Sequence, residues 1–353
     1  IRDSHHVSLF RIYHAPGCHC LFGDDSDLNL QTGRSFWEKV NGNCLIMSLG
    51  YFSTLGTFIG IYIILVLSLN IISGYAGQAS LGHAAFFGIG AYASALLTVK
   101  AGLNFWQALP LAMIAAGAIG ALVGIISLRI KGDFLAVTTI GINFVIVAIF
   151  EYSEFFGGAY GISGIAYPMF FGLKIKKIYY LLMVAGFAVL TALFSFLVSK
   201  SWMGLALETI REDEEAAEAA GINCKKFKII AFSMGCGFAG LAGVLYAHFM
   251  RFIAPNDFTF PISITLVSMM VVGGIGTIRG PILGALILAA LPEILRPLAN
   301  YRLLFYGGLI VLMARFQPQG LFGKNAFILR MLFRKDTKKT TLPDNGKIAG
   351  RAV

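Results

Sequence analysis

The sequence predicts an all-α polytopic membrane protein with about 8–10 transmembrane helices. Three observations carry that reading. Apolar residues make up 57% of the 353-residue chain and charged residues only 13%. A soluble domain carries roughly 25% charge, so an ordinary soluble enzyme is excluded for want of charges to cover its surface. Glycine is abundant, at 41 residues, and membrane helices tolerate it better than soluble ones. The apolar runs are continuous over the ~20 residues that a helical span needs. A barrel would alternate polar and apolar residues in segments of about ten, and hydrocarbon admits only helices or closed barrels, because it leaves no water to satisfy backbone groups.

Taken in order, residues 1–43 form a polar N-terminal tail with four Lys/Arg, five Asp/Glu and a net charge of −1. The chain opens on Ile1, so this tail reads as a fragment or a wrongly chosen start, and its polar opening shows no cleavable signal peptide. Within it, His14, Cys18, His19 and Cys20 lack the second half of a zinc pattern. They read as incidental, with a metal site as the minor alternative. Residues 44–322 form the transmembrane domain. Apolar cores fall at 52–72, 84–99, 105–128, 134–150, 179–199, 229–250, 259–275, 280–298 and 303–316. Residues 44–51 either extend the first span or begin a tenth. Residues 323–353 form a basic C-terminal tail. From Arg315 onward there are nine Lys/Arg and two Asp, a net of +7 within a chain total of +10.

That basic end reads as cytoplasmic, next to anionic lipid; nucleic-acid binding is set aside because the rest of the chain is membrane-embedded. Counting back through the spans puts loops 129–133 and 200–228 inside, and 100–104, 151–178 and 251–258 outside. On this assignment 17 of the 28 Lys/Arg are inside, although Lys174, Lys176 and Lys177 go against the trend. Catalytic motifs are missing. No phosphate-binding G-x-x-x-x-G-K-[ST] occurs, since Gly346-Lys347 is followed by Ile348 and Gly323-Lys324 by Asn325. Neither H-E-x-x-H nor G-x-S-x-G occurs. Few carboxylates fall inside the apolar cores, with Glu151, Glu154 and Glu293 near span ends. Intramembrane charges mark ion paths, so their scarcity argues against a proton-coupled pump.

The segment from Lys200 to Lys228 holds six acids and five bases. Ala, Leu and Glu dominate Leu205 to Ala220 and favour a helix. Leu207, Ile210, Ala217 and Ala220 fall near one face, with charges opposite. Gly221 suits a left-handed helix end, and Asn223 suits the cap of a second, short helix. A bent helix-turn-helix follows, shaped either to dock in a partner's groove or to serve as a solvated connector. Its centre, Glu215-Ala216-Ala217 with Gly221, resembles the EAA loop of ABC-importer permeases, the part that couples to the ATPase. Glu215 would offer a charge, the two Ala residues a smooth face and Gly221 the turn.

Two glycine-rich stretches widen the resemblance. One runs from Ser73 to Tyr92 and contains Gly74, Gly77, Gln78, Ser80, Gly82 and His83. The other runs from Val272 to Ala285 and contains Gly273, Gly274, Gly276 and Thr277. With Gly157 to Ile165 and the EAA-like loop, these motifs resemble the LivM-type permease of branched-chain amino acid ABC importers, in order, over about residues 52–322. Glycine and polar residues at membrane depth either line a cavity as broken helices or allow close helix packing. Pathway lining is favoured for the first stretch. Packing is favoured for the second, where Gly276, Gly280 and Gly284 recur every four residues, and also for Gly120 and Gly124. Thr138, Thr139 and Asn143 either line a pathway or bond neighbouring helices, with two of them near one face. His83 reads as a neutral, hydrogen-bonded histidine, with a pH-sensitive gate as the alternative. Arg279 is expected at the cytoplasm or the lipid headgroups. Four spans on each side of a central one, each half with a glycine break, suggest two inverted repeats.

The resemblance implies a permease subunit without its own ATPase site or bound cofactor, with ATP held by partner subunits. It implies leucine, isoleucine and valine as cargo and a bacterial-type cytoplasmic (inner) membrane as location. The implied partners are a second homologous permease, two cytoplasmic ATPases, an external solute-binding protein and membrane lipid. The alternatives are the same machinery carrying urea, short amides or other amino acids, and a stand-alone secondary carrier or channel.

Overall fold

A computed structural model describes residues 33–127, 132–170, 173–174 and 177–294, together with 307, 308, 311 and 315. The metal-like His14/Cys18/His19/Cys20 cluster, the basic tail and most of the ninth apolar run lie outside the described residues. The chain divides into two compact units, residues 1–55 and 56–353. In the described part of the first the backbone is helical. There Ser53 and Thr54 both donate to the carbonyl of Gly50, at 3.1 and 2.9 Å.

Helix α1 (Gly33–Leu69) is continuous through 44–51, so that stretch extends the first span rather than forming a tenth. Its helical backbone also begins inside the segment read as a tail. A π-helical turn, Asn70–Tyr75, ends it. There follow α2 (His83–Val99), α3 (Phe105–Ser127), α4 (Gly132–Tyr152), α5 (Lys177–Lys200), α6 (Trp202–Glu212), α7 (Glu214–Ala219), α8 (Cys224–Met250), α9 (Phe260–Gly273) and α10 (Arg279–Ile294). Among the described residues six helices are long and apolar enough to cross a membrane, and two shorter apolar ones, His83–Val99 and Arg279–Leu291, accompany them. The chain is therefore an all-α polytopic membrane protein, and the eight apolar helices follow the predicted cores closely.

In the second unit, α8 is the central helix, packed against α2 and α3. Its glycines let backbones meet. A Cβ on Gly90 of α2 would overlap the backbone of Gly240, and one on Gly243 would overlap the carbonyl of Phe87. On α3, a Cβ on Gly120 would strike Cys236, and Gly124 lies against Phe232 and Ile229. The small-residue reading of Gly120 and Gly124 thus matches their packing. Polar groups add to this packing: Ser233 of α8 donates to the Gly117 carbonyl of α3 at 2.9 Å, and Tyr180 of α5 donates to the Leu245 carbonyl of α8 at 2.6 Å. The outer faces of α3, α4 and α5 leave large apolar residues exposed, among them Ile114, Phe134, Val137, Leu182 and Val189. Exposed apolar area on this scale suits lipid or a partner helix.

Among the described residues there are also two short antiparallel ladders, which helical periodicity gave no sign of. β1 (Ile162–Ser163) pairs with β4 (Phe252–Ile253), and β2 (Met169–Phe170) pairs with β3 (Leu173–Lys174). β4 follows directly on the C-terminal end of α8, whereas α7 precedes its N-terminal end. The ladder β1–β4 and the α6–α7 segment therefore lie at opposite ends of the bundle.

Candidate functional site

The connector between α5 and α8 folds as two helices, not one. Asp213 interrupts it in extended conformation, and its Oδ1 accepts the N–H groups of Glu215 and Ala216, both at 3.0 Å. This is an N-cap, satisfying donors that the start of a helix leaves unpaired. The sequence offered Asp213 among a run of acids, where its capping role was hidden. Gly221 takes φ +83°, as a left-handed terminator should. Asn223 does cap a helix, accepting Lys226 N–H at 3.1 Å, but that helix is the 27-residue α8 and not a short one.

Leu207, Ile210 and Ala217 turn inward as predicted, whereas Ala220 is exposed. Ala217 packs with Ile210 and Cys224. It therefore helps to build the segment, whereas Glu215, Ala216 and Gly221 remain exposed for a partner. Lys228 pairs with Glu214 at 2.6 Å, which ties α7 to the first turn of α8.

The glycine-rich stretches meet beneath α6. Asn70, in the π-helical turn, is fully buried. Its Oδ1 accepts the N–H of Gly276, and its Nδ2 donates to the carbonyl of Thr277, both at 2.9 Å. One amide side chain thereby joins segments more than two hundred residues apart. Arg211, at the end of α6, donates from Nη1 to the carbonyl of Gly74 at 2.6 Å. A Cβ on Gly77 (φ +68°) or on Gly276 (φ +75°) would meet the same arginine. Glycine is thus required at Gly276 for its left-handed backbone as well as for room. A cleft of about 290 Å³ opens alongside, lined by Tyr75, Phe196, Lys200, Glu208, Arg211 and Ile278 among others.

The rest of the first stretch is buried and polar. Gln78, Ser80 and His83 are almost wholly enclosed. His83 Nε2 pairs with Ser68 Oγ at 2.7 Å, so the histidine is hydrogen-bonded as expected. Yet Ser73 Oγ, Gln78 Oε1, Ser80 Oγ and His83 Nδ1 are buried with no hydrogen-bond partner among the described residues. Buried polar atoms nearly always find one, so four orphans within eleven residues set this stretch apart from ordinary packing. Gly82 rests on the Thr139 backbone, and Thr139 Oγ1 accepts the N–H of Leu81 at 3.0 Å. Asn143, one turn on and on the same face, donates to the Phe258 carbonyl at 3.2 Å. Thr138 is not gathered with them; its hydroxyl returns to Phe134 O at 2.9 Å in its own helix.

In the second stretch, Gly273, Gly280 and Gly284 press α9 against α10, whereas Gly276, read in the sequence as part of the packing row with Gly280 and Gly284, lies against Arg211 instead. Thr277 Oγ1 accepts the Gly280 N–H at 3.2 Å and donates to the carbonyl of Gly274 at 3.0 Å. Arg279 is exposed. Sequence reasoning passed over Asn70 and Arg211 as contributors, because each acts on a partner far away along the chain.

This arrangement defines a class: a multi-pass helical membrane protein whose broken helix ends gather beneath an amphipathic connector. Comparison with known proteins then fixes the family. Residues 51–314 match the family described as branched-chain amino acid transport system / permease component, and the chain belongs to it. It is 36% identical over 292 residues to the high-affinity branched-chain amino acid transport system permease protein LivM of Escherichia coli (strain K12), covering 76% of this chain and 69% of that one. It is 27% identical over 343 residues to a probable branched-chain amino acid transport permease protein LivM of Methanocaldococcus jannaschii, covering 82% and 98%. A more distant relative is the autoinducer 2 import system permease protein LsrC of Salmonella paratyphi B, 26% identical over 206 residues and covering 55% and 57%. No solved structure matches the chain.

Proposed function

We propose that this chain is the membrane-spanning subunit of an ATP-driven importer for leucine, isoleucine and valine, driven through α6–α7 by an ATPase held on partner subunits. The observation that carries the coupling is the bond from Arg211 to the carbonyl of Gly74, at the point where Asn70 binds Gly276 and Thr277. A displacement of α6 would pull on both glycine breaks together. Coupling between two sites needs such an element with two arrangements that each site biases. The full machine would comprise a second homologous permease, two ATPases and an external solute-binding protein. It would sit in a bacterial inner membrane with α6–α7 and the C-terminus on the cytoplasmic side. The chain itself would bind no cofactor, with ATP held on the partner subunits.

Reconstitution in liposomes with the partner permease, ATPases and binding protein tests this, following labelled leucine with and without ATP. ATP-dependent uptake that requires this chain supports the reading. Leucine uptake without ATP or partners would replace it with a secondary carrier. The relative named for autoinducer 2 import favours a second reading, in which the same machine carries another small solute. ATP hydrolysis by the assembly without leucine uptake would select that reading, with urea, short amides and other amino acids as the next cargoes to try.

A further inference from the structure

At the end of the bundle opposite α6–α7, the 3₁₀ turn Pro255–Phe258 joins β4 to α9. Asp257 is the only acid between Glu218 and Glu293. It is half-buried, and its Oδ2 accepts the N–H of Ala254 at 3.1 Å. No Lys or Arg among the described residues pairs with it. An acid that sits at a membrane span without a countercharge is costly and marks a functional position.

Asp257 borders a cavity of about 150 Å³ whose walls are apolar and aromatic: Phe58, Ile61, Leu65, Phe87, Tyr246 and Ile262. The rings form a partial cage. Phe58 and Phe87 lie 6.3 and 5.3 Å from Tyr246, centroid to centroid. Aromatic faces attract a cation, and more strongly once it is desolvated. A cavity of about 150 Å³ lined by apolar side chains is large enough for benzene, hence for a branched alkyl group. Asn256, beside Asp257, also lines the cavity and is exposed. Ile262 belongs to the first turn of α9, whose cap residue Thr259 turns its hydroxyl to the Asn256 carbonyl at 3.1 Å and caps none of the helix N–H groups. The positive end of α9 thus lies where a carboxylate is favoured.

We propose that Asp257 and this aromatic cavity bind the ammonium group and apolar side chain of an α-amino acid at the outer mouth of the permease. The proposal rests on the reading of the chain as an amino-acid permease. It adds to that reading a place and an anchoring residue. The carboxylate takes the ammonium in a charge-assisted hydrogen bond, the cage shields it, and the alkyl group lies against Ile61 and Leu65.

The test uses the full chain with its partner subunits in proteoliposomes. Asn256→Cys is labelled with a membrane-impermeant maleimide and read by peptide mass spectrometry. Three probes are compared: leucine, 3-methylbutylamine (ammonium without carboxylate) and 4-methylpentanoate (carboxylate without ammonium). Leucine and 3-methylbutylamine should slow labelling, and 4-methylpentanoate should not. Asp257→Asn should raise the half-protecting concentration of leucine about tenfold or more, and Asp257→Glu should restore most of it. Equal protection by 4-methylpentanoate, no protection by any probe, or an unchanged value in Asp257→Asn would overturn the site. If Asn256→Cys fails to assemble, equilibrium binding of labelled leucine to the Asp257→Asn assembly reads the same shift. Ammonium-selective protection in an assembly that shows no ATP-driven uptake would keep the site and remove the importer reading.

Discussion

Gly74→Ala adds one methyl group at the junction of α6 with the two glycine breaks. Gly74 is buried, and its new Cβ would overlap Asn70 Oδ1 and come within 2.9 Å of Gly276 N. The Asn70 side chain must leave, and both of its 2.9 Å bonds go with it. Leaving a buried donor or acceptor unpaired costs about 1–3 kcal/mol each. Gly276 and Thr277 are half-buried, so the lower end applies and the sum is about 2 kcal/mol. That is roughly 30-fold in the population of the joined arrangement, at about 1.4 kcal/mol per factor of ten. If the joined arrangement transmits the motion, leucine taken up per ATP hydrolysed falls by as much as that, while hydrolysis continues. The assay follows uptake and phosphate release in the same liposomes. Gly141→Ala serves as control, because a Cβ there meets nothing within 4 Å. If Gly74→Ala fails to assemble, Arg211→Gln removes only the exposed end of the linkage. It should lower the uptake-to-hydrolysis ratio roughly fivefold, from about 1 kcal/mol for one partly solvated bond. A ratio within twofold of wild type in both variants would refute the linkage.

Glu215→Lys reverses a charge on the exposed rim of α7 and should abolish uptake while binding to the external receptor persists; normal uptake would mean that α7 does not dock on the ATPase. Asp213→Ala removes both N-cap bonds of α7 and costs about 1 kcal/mol. Amide exchange across 214–219 should rise about fivefold, and unchanged exchange would show that the cap contributes nothing. Gly90→Ala forces the α2 and α8 backbones apart and costs about 1–3 kcal/mol or more by overpacking. A lower melting temperature in detergent is expected, and an unchanged one would contradict the close approach.

Much of the fold was legible because membrane helices declare themselves by length and hydropathy. The core read at 105–128 became Phe105–Ser127, and that at 229–250 fell inside Cys224–Met250. Local chemistry was equally readable where both partners are near in sequence, as with Gly221 and Asn223. The site was only half visible. Gly74, Gly276 and the α6 segment were each singled out, but nothing in one sequence says that Asn70 reaches Gly276 or that Arg211 reaches Gly74. Asp257 was missed for a different reason: it follows the apolar end of α8 in what reads as a short loop, and only the folded chain sets it beside Phe58 and Ile61. The strand pair β1–β4 was hidden as well, because two-residue ladders leave no periodicity.

The backbone-to-backbone contact of α2 with α8 carries a consequence for how the protein can change shape. Interfaces built from long side chains can settle in several interlocked arrangements, because each side chain has alternative rotamers. Between Gly90 and Gly240, and between Gly243 and Phe87, there are no side-chain atoms to rearrange. These two points pin the pair backbone to backbone, and the Phe86–Phe232 and Phe87–Tyr246 ring contacts and the Ser94–His248 bond hold it further. Any rearrangement around it would fall to helices joined to it through larger side chains, as α5 is through Tyr180.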